Sequence, residues 1–236
     1  VDHRQGDHFK QLFAVAARRG REILLEHISF GTILGKDGKP LKTREGDLPL
    51  LSDLLGDAIR AARESSEGRS RVEDEGERET LAELIGISAV KFMELSHHRT
   101  SDYIFDLEKM VSMEGDTAPY LQYSYVRCRS IFAKLGEEVV LDGEGLELSD
   151  EREVHLARML ARFGETVPVV MDGFRPNLLA SYLLELARAY HSFFQSCPVL
   201  KSEGAVRKTR LLLCELTARV LRKGLNLLGI AVPERM

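Results

Sequence analysis

The chain has no tryptophan and only three cysteines, Cys128, Cys197 and Cys214. The cysteines are odd in number, widely spaced and without a Cys-x-x-Cys pair, which excludes a disulfide scaffold and a ribbon-type zinc site. We expect three reduced packing thiols and a cytoplasmic protein. Long apolar runs are also missing: no stretch approaches the ~20 residues a membrane helix needs. The polar start, with Asp2, His3, Arg4, Gln5 and Asp7, is not the pattern of a signal peptide. No repeat of 20–50 residues recurs, so solenoids and propellers are excluded. His3 and His8 lack a second ligand pair, and no protein-bound metal is expected.

Net charge is small, −4 over 236 residues, which speaks against binding nucleic acid by bulk charge. Its distribution is uneven. From Lys201 to Met236 there are eight cations (Lys201, Arg207, Lys208, Arg210, Arg219, Arg222, Lys223, Arg235) and three anions. Such a segment is either a solvated helix surface or a local face for phosphate. Arg210, Arg222 and Lys223 are its candidate contacts.

Periodicity is mostly helical. Phe9, Leu12, Phe13 and Ala16 share one face of a first helix over 8–21. Ile28 and Phe30 alternate with polar or small residues and read as a strand entering a glycine-bounded loop. Ser52 is placed to cap a second helix. Residues 64–79 hold a single aliphatic residue, Val72, among charges, and read as a mobile loop. Helical spacing resumes at Leu81, Leu84 and Ile85. Thr117 and Pro119 open a helix through Leu121, Tyr125, Cys128 and Leu135. Asp142-Gly143 and Gly145 break it. Ser149 or Asp150 opens a helix to about Phe163, Pro176 opens another, and a last long one ends at Gly229. One or two strands cannot make a complete parallel sheet, so residues 1–115 read as a mixed α/β end-piece and 116–236 as a helical bundle.

Several segments carry candidate chemistry. Residues 35–46, Gly-Lys-Asp-Gly-Lys-Pro-Leu-Lys-Thr-Arg-Glu-Gly, combine four cations with three glycines and can bring charge and backbone amides to phosphate oxygens. Tyr120 and Tyr123 lie three apart on one helix face, beside Arg127 and Arg129. They are either core residues or platforms for splayed bases, with arginines on phosphate. Ser101 with Asp102 or Asp106 reads as capping rather than catalysis.

Residues 115–126, Gly-Asp-Thr-Ala-Pro-Tyr-Leu-Gln-Tyr-Ser-Tyr-Val, and 227–236, Leu-Leu-Gly-Ile-Ala-Val-Pro-Glu-Arg-Met, resemble the C-terminal half of arginyl-tRNA synthetases, members of class I. Residues 2–8, 86–92, 98–106 and 189–198 resemble the same family in the same order. The resemblance implies a mainly α fold: the C-terminal remnant of a Rossmann-like catalytic domain over 1–115, then an all-helical anticodon-binding bundle over 116–236.

It further implies ATP-dependent attachment of arginine to its tRNA through an arginyl-adenylate. ATP with Mg2+ would serve as substrate, and arginine and its tRNA would be the partners of an expected monomer. Gly38–Gly46 looks like the family's degenerate Lys-Met-Ser-Lys-Ser loop, which makes Lys39, Lys42 and Arg44 phosphate contacts. Gln5 matches a residue beside the substrate arginine, and His8 a histidine near the nucleotide. Tyr120, Tyr123 and Arg127 belong to the segment that grips the anticodon arm. Phe194 matches the pocket aromatic, and Met236 closes that pocket. No His-Ile-Gly-His-type sequence and no tRNA-elbow domain is present. The chain alone is therefore expected to bind tRNA weakly and to make no adenylate. A stand-alone RNA-binding module is the alternative, and a protein-interaction scaffold a more distant one.

Overall fold

The computed structural model describes residues 1–41, 50–67, 72–136 and 144–236. Lys42 and Arg44 lie outside the described residues, as does the expected Asp142-Gly143 break.

The order of elements is a 3-10 turn His3–Gln5, α1 Gly6–Arg18, β1 Ile33–Leu34, α2 Leu51–Ser66, α3 Glu75–Ser96, β2 Tyr103–Ile104, α4 Leu107–Met110, α5 Ala118–Leu135, α6 Glu151–Ala161, α7 Phe163–Asp172, α8 Pro176–Ser196 and α9 Gly204–Leu227. The fold is mainly α, as expected. No described helix is long and apolar enough to cross a membrane.

The expected strand at Ile28 and Phe30 is displaced. Phe30 makes only an isolated parallel bridge to Asp2. The true strand, β1, pairs in parallel with β2, Ile33 facing Tyr103 and Leu34 facing Ile104. Gly31 makes this approach possible, because a Cβ there would sit 2.5 Å from the Ser101 carbonyl oxygen. Asp102 Oδ1 accepts from Thr32 N–H at 2.7 Å, and Asp106 caps α4. Both aspartates therefore hold backbone, as read from the sequence.

Two other expectations fail locally. Ser52 does not cap α2; Leu50 is the N-cap, without a side-chain hydrogen bond. Of the expected mobile loop at 64–79, residues 68–71 lie outside the described residues, 64–66 end α2 and 75–79 begin α3. Asp74 caps α3 by accepting from Glu77 N–H, Arg63 pairs with Glu75 and Glu79, and Val72 is buried.

Two buried clusters organise the chain. The smaller joins Ala62, Leu81, Ile85, Ala89, Tyr103, Phe105 and Met110. The larger fills the bundle of α5, α6, α8 and α9 around Leu121, Leu156, Leu183, Tyr190, Phe193 and Leu221. α3 serves both, with Ile85 in the first and Phe92 in the second. Its seam with α2 is close-packed: a Cβ at Gly86 would sit 2.6 Å from Ile59 N. Thr117 caps α5 through Tyr120 N–H, with Pro119 in the first turn. Asp150 and Glu153 form a capping box on α6. Gly229, at φ 69°, turns the chain out of α9, as the sequence implies.

α7 has no counterpart in the sequence reading. It contains Pro168 and buries none of its residues fully. It lies against α8, where the Phe163 and Tyr182 rings meet at 5.9 Å.

Candidate nucleic-acid interface

The capped start of α5 fixes the helical phase of Tyr120, Tyr123, Ser124 and Arg127. Spacings of three and four put them on one face. That face borders a cavity of about 430 Å³ whose wall also includes Tyr190 and His191 from α8, Leu81 and Ile85 from α3, and Met236. Tyr120 is half-buried, and burial raises its hydroxyl pKa above the ordinary value. Tyr123 is 43% exposed. A cavity with an aromatic wall, few polar groups and one guanidinium suits a flat ring bearing hydrogen-bond acceptors.

Met236 is held there by the tail that precedes it. Lys91 Nζ donates to the Gly229 carbonyl at 2.8 Å. Gln122, fully buried on α5, donates to Ala231 O at 2.8 Å and to Ser88 Oγ at 2.9 Å. Arg235 pairs with Glu77 at 3.1 Å. These contacts carry the last residue from the bundle onto the smaller core, where Met236 packs.

Arg127 is the cation of this cavity. Its guanidinium carbon lies 4.1 Å from the centroid of Phe194 and 5.9 Å from that of Tyr123. Phe194 is absent from the wall, and the guanidinium covers one of its faces. The base-stacking expected of Phe194 thus has a competitor in Arg127. Nearby, Arg188 of α8 pairs with Asp116 and ties α8 to the turn before α5.

The cations of α9 part company. Arg210 points inward and is 12% exposed, with Nε 2.6 Å from Glu153 Oε1 and Nη1 donating to Pro198 O at 3.1 Å. A side chain so engaged holds the bundle together and does not belong to a phosphate-facing surface. Arg222 and Lys223 are exposed. Arg222 lines a separate polar cleft of about 380 Å³ with Tyr125, Arg129, Glu215, Arg219 and Glu234. Tyr125 is two residues from Tyr123 and buried, so this cleft lies off the aromatic cavity.

At the other end, Gln5 closes the 3-10 turn and is the N-cap of α1. His8 is exposed, with its ring edge-on to Phe9 at 5.6 Å. Asp2 accepts from Arg4 N–H and pairs with the Arg4 guanidinium, which holds the Asp2 carboxyl far below its usual range. Lys39 follows the left-handed Gly38, and its N–H donates to Asp37 Oδ1 at 3.1 Å. None of Gln5, His8 and Lys39 lines the aromatic cavity. Among the described residues no group of three or more His, Cys, Asp or Glu converges on a possible metal position.

Sequence reasoning missed His191, which lies on the cavity wall and contacts Arg127 at 3.3 Å. Its spacing of three from Phe194 is the one available signal.

Known proteins match both ends of the chain. The family model for the class I (R) tRNA synthetase catalytic domain matches residues 1–107, and that for the DALR anticodon binding domain matches 121–236. The arginine–tRNA ligase of Idiomarina loihiensis is 45% identical over 240 residues, covering 100% of this chain and 41% of that protein. That of Rhodopirellula baltica is 46% identical over 260 residues, covering 100% and 38%. Among solved structures, the Thermus thermophilus arginyl-tRNA synthetase aligns with a TM-score of 0.78 and 30% identity, over 89% of this chain and 35% of that one. The Plasmodium falciparum enzyme aligns with a TM-score of 0.81 and 25% identity, over 100% and 40%. The chain thus spans about two fifths of the length of the relatives it matches and carries catalytic-domain sequence as well as the anticodon-binding match. Along its whole length the chain is similar to class I arginyl-tRNA synthetases.

Proposed function

We propose that this chain is the C-terminal portion of an arginine–tRNA ligase, divided into a catalytic end-piece over 1–115 and an anticodon-binding bundle over 116–236. The observation that carries the reading is the cavity in which Tyr120, Tyr123 and Arg127 meet Met236. An anticodon base enters it, rests against the tyrosines and offers its acceptor edge to Arg127. Arg222 and Lys223 add attraction for phosphate along α9.

In the complete enzyme, arginine's carboxylate attacks the α-phosphate of ATP, with Mg2+ on the nucleotide. The arginyl group then passes from the adenylate to the terminal ribose of tRNA. The end-piece contributes by positioning and by charge. Gln5 contacts the arginine, His8 stands beside the nucleotide, and Lys39, Lys42 and Arg44 meet the pyrophosphate as it leaves. Exposed Leu12 and Val15 on α1 support an end-piece completed by further catalytic-domain structure. The protein acts in the cytoplasm as a monomer.

The test is binding of this chain, at low salt, to arginine-accepting tRNA and to the same tRNA with an altered anticodon loop. Loss of ~1–3 kcal/mol on alteration supports base recognition in the cavity. Equal binding to both leaves only phosphate attraction and favours a non-specific RNA-binding module. ATP–pyrophosphate exchange by this chain alone is expected to be undetectable, and detectable exchange overturns the division of labour.

A further inference from the structure

We infer that His191 is a positioning residue for Arg127, and that the pair sets how sharply this cavity discriminates among bases. The inference rests on the reading of the cavity as an anticodon pocket and names a residue that reading does not require.

Its ground is the contact between Arg127 Nη1 and His191 Nδ1 at 3.3 Å. A guanidinium has no lone pair and can only donate. A hydrogen bond at this contact therefore has Nδ1 accepting, which requires the tautomer with its proton on Nε2. His191 and Phe194 lie three residues apart on α8, on one face. They meet Arg127 in two different ways. The guanidinium carbon lies over the Phe194 ring, 4.1 Å from its centroid, and His191 meets Nη1. The ring contact alone leaves the guanidinium able to turn; the contact at Nη1 fixes that rotation.

Glu114 lines the same cavity. A carboxylate would attract Arg127 more strongly than a neutral ring, and would consume the donors a base needs. By holding Arg127 against Phe194, His191 keeps the remaining N–H donors presented before RNA arrives. Preorganisation of this kind favours the matching base over others, with little effect on general RNA affinity.

The experiment compares this chain with its H191L, H191N, R127M and R127M/H191L variants, each against arginine-accepting tRNA and its anticodon-altered form over a range of salt. Asn carries an acceptor near the Nδ1 position; Leu carries none. Expected in H191L is a loss of about tenfold in discrimination, the scale of one hydrogen bond to a charged group. Affinity for the altered tRNA and the salt slope stay unchanged. H191N restores most of the loss, and H191L has no effect in the R127M background. The inference is overturned if H191L discriminates as well as the unaltered chain, if it weakens both tRNAs equally without rescue by H191N, or if its effect persists without Arg127. Failure of the unaltered chain to discriminate brings down the anticodon reading and this inference together. Failure of H191L in a discriminating chain removes His191 alone.

Discussion

Arg210 Nε lies 2.6 Å from Glu153 Oε1, and Glu153 is completely buried. The other carboxylate oxygen accepts from Ser149 N–H at 2.7 Å and Asp150 N–H at 3.2 Å. One buried side chain thus ties the start of α6 to α9, and through the Arg210 bond to Pro198 O also to the turn after α8. A cation read from the sequence as a phosphate contact is instead the counter-charge of an internal carboxylate. Arg210→Met should cost about 3 kcal/mol or more, because it leaves Glu153 buried without its partner. Urea unfolding measures this, and a loss below about 1 kcal/mol would contradict the assigned role.

One substitution at two helix glycines should act with opposite sign. At Gly86 a Cβ meets Ile59 N at 2.6 Å and Ile59 Cα at 2.7 Å, backbone atoms that cannot swing aside. Gly86→Ala should destabilise by about 1–3 kcal/mol. At Gly56 in α2 a Cβ meets nothing within 4 Å, so Gly56→Ala should stabilise by up to about 1 kcal/mol through helix propensity. Denaturation midpoints decide, and equal signs would refute the packing of α2 on α3.

Tyr123 and Tyr125 separate binding from folding. Tyr123→Ala should weaken RNA binding by ~1–3 kcal/mol and change stability by less than about 1 kcal/mol, since the side chain is exposed. Tyr125→Ala should reverse the pattern, costing about 3 kcal/mol or more of stability at a buried aromatic. Paired tRNA titration and urea unfolding of both variants test the phase of α5. A loss of binding confined to Tyr125→Ala would put the interface on the wrong face.

The thiols should be silent in the folded protein. Burial pushes Cys128 up to about 12 and raises Cys197 and Cys214 as well. At pH 8 a thiol reagent should modify none of the three until urea is added. The sign for stability follows from the raised folded value. Cys128's contribution is whole below its ordinary 9.0 and drains as pH climbs toward 12, because the unfolded thiol ionises first. Rapid labelling of native protein at pH 8 would refute this burial.

What was legible lay in short-range signals. Thr117, Pro119 and Asp150 act within a few residues of the backbone they satisfy, and each helix starts where they indicate. Residues 75–79 were misread as loop because their helical order comes from their surroundings, with Arg63 on α2 meeting Glu75 and Glu79 on α3. α7 escaped notice because Pro168 and a run of valines do not make a helical pattern, while packing on α8 does hold one. β1 could not be located from alternation, since two residues suffice when the partner strand is 70 residues away.

By itself the sequence determined the starts of α5, α6 and α8, the turn at Gly229, the mainly α class and the segments that resemble arginyl-tRNA synthetases. Only the tertiary structure decided which side chains share a cavity. Arg127 meets His191 across 64 residues, Glu153 meets Arg210 across 57, and Gln122 holds the tail at Ala231 across 109. Caps and turn glycines act on their own backbone, so they can be read in place. The partner of a buried charge or a stacked guanidinium is set by how helices distant in sequence pack their faces.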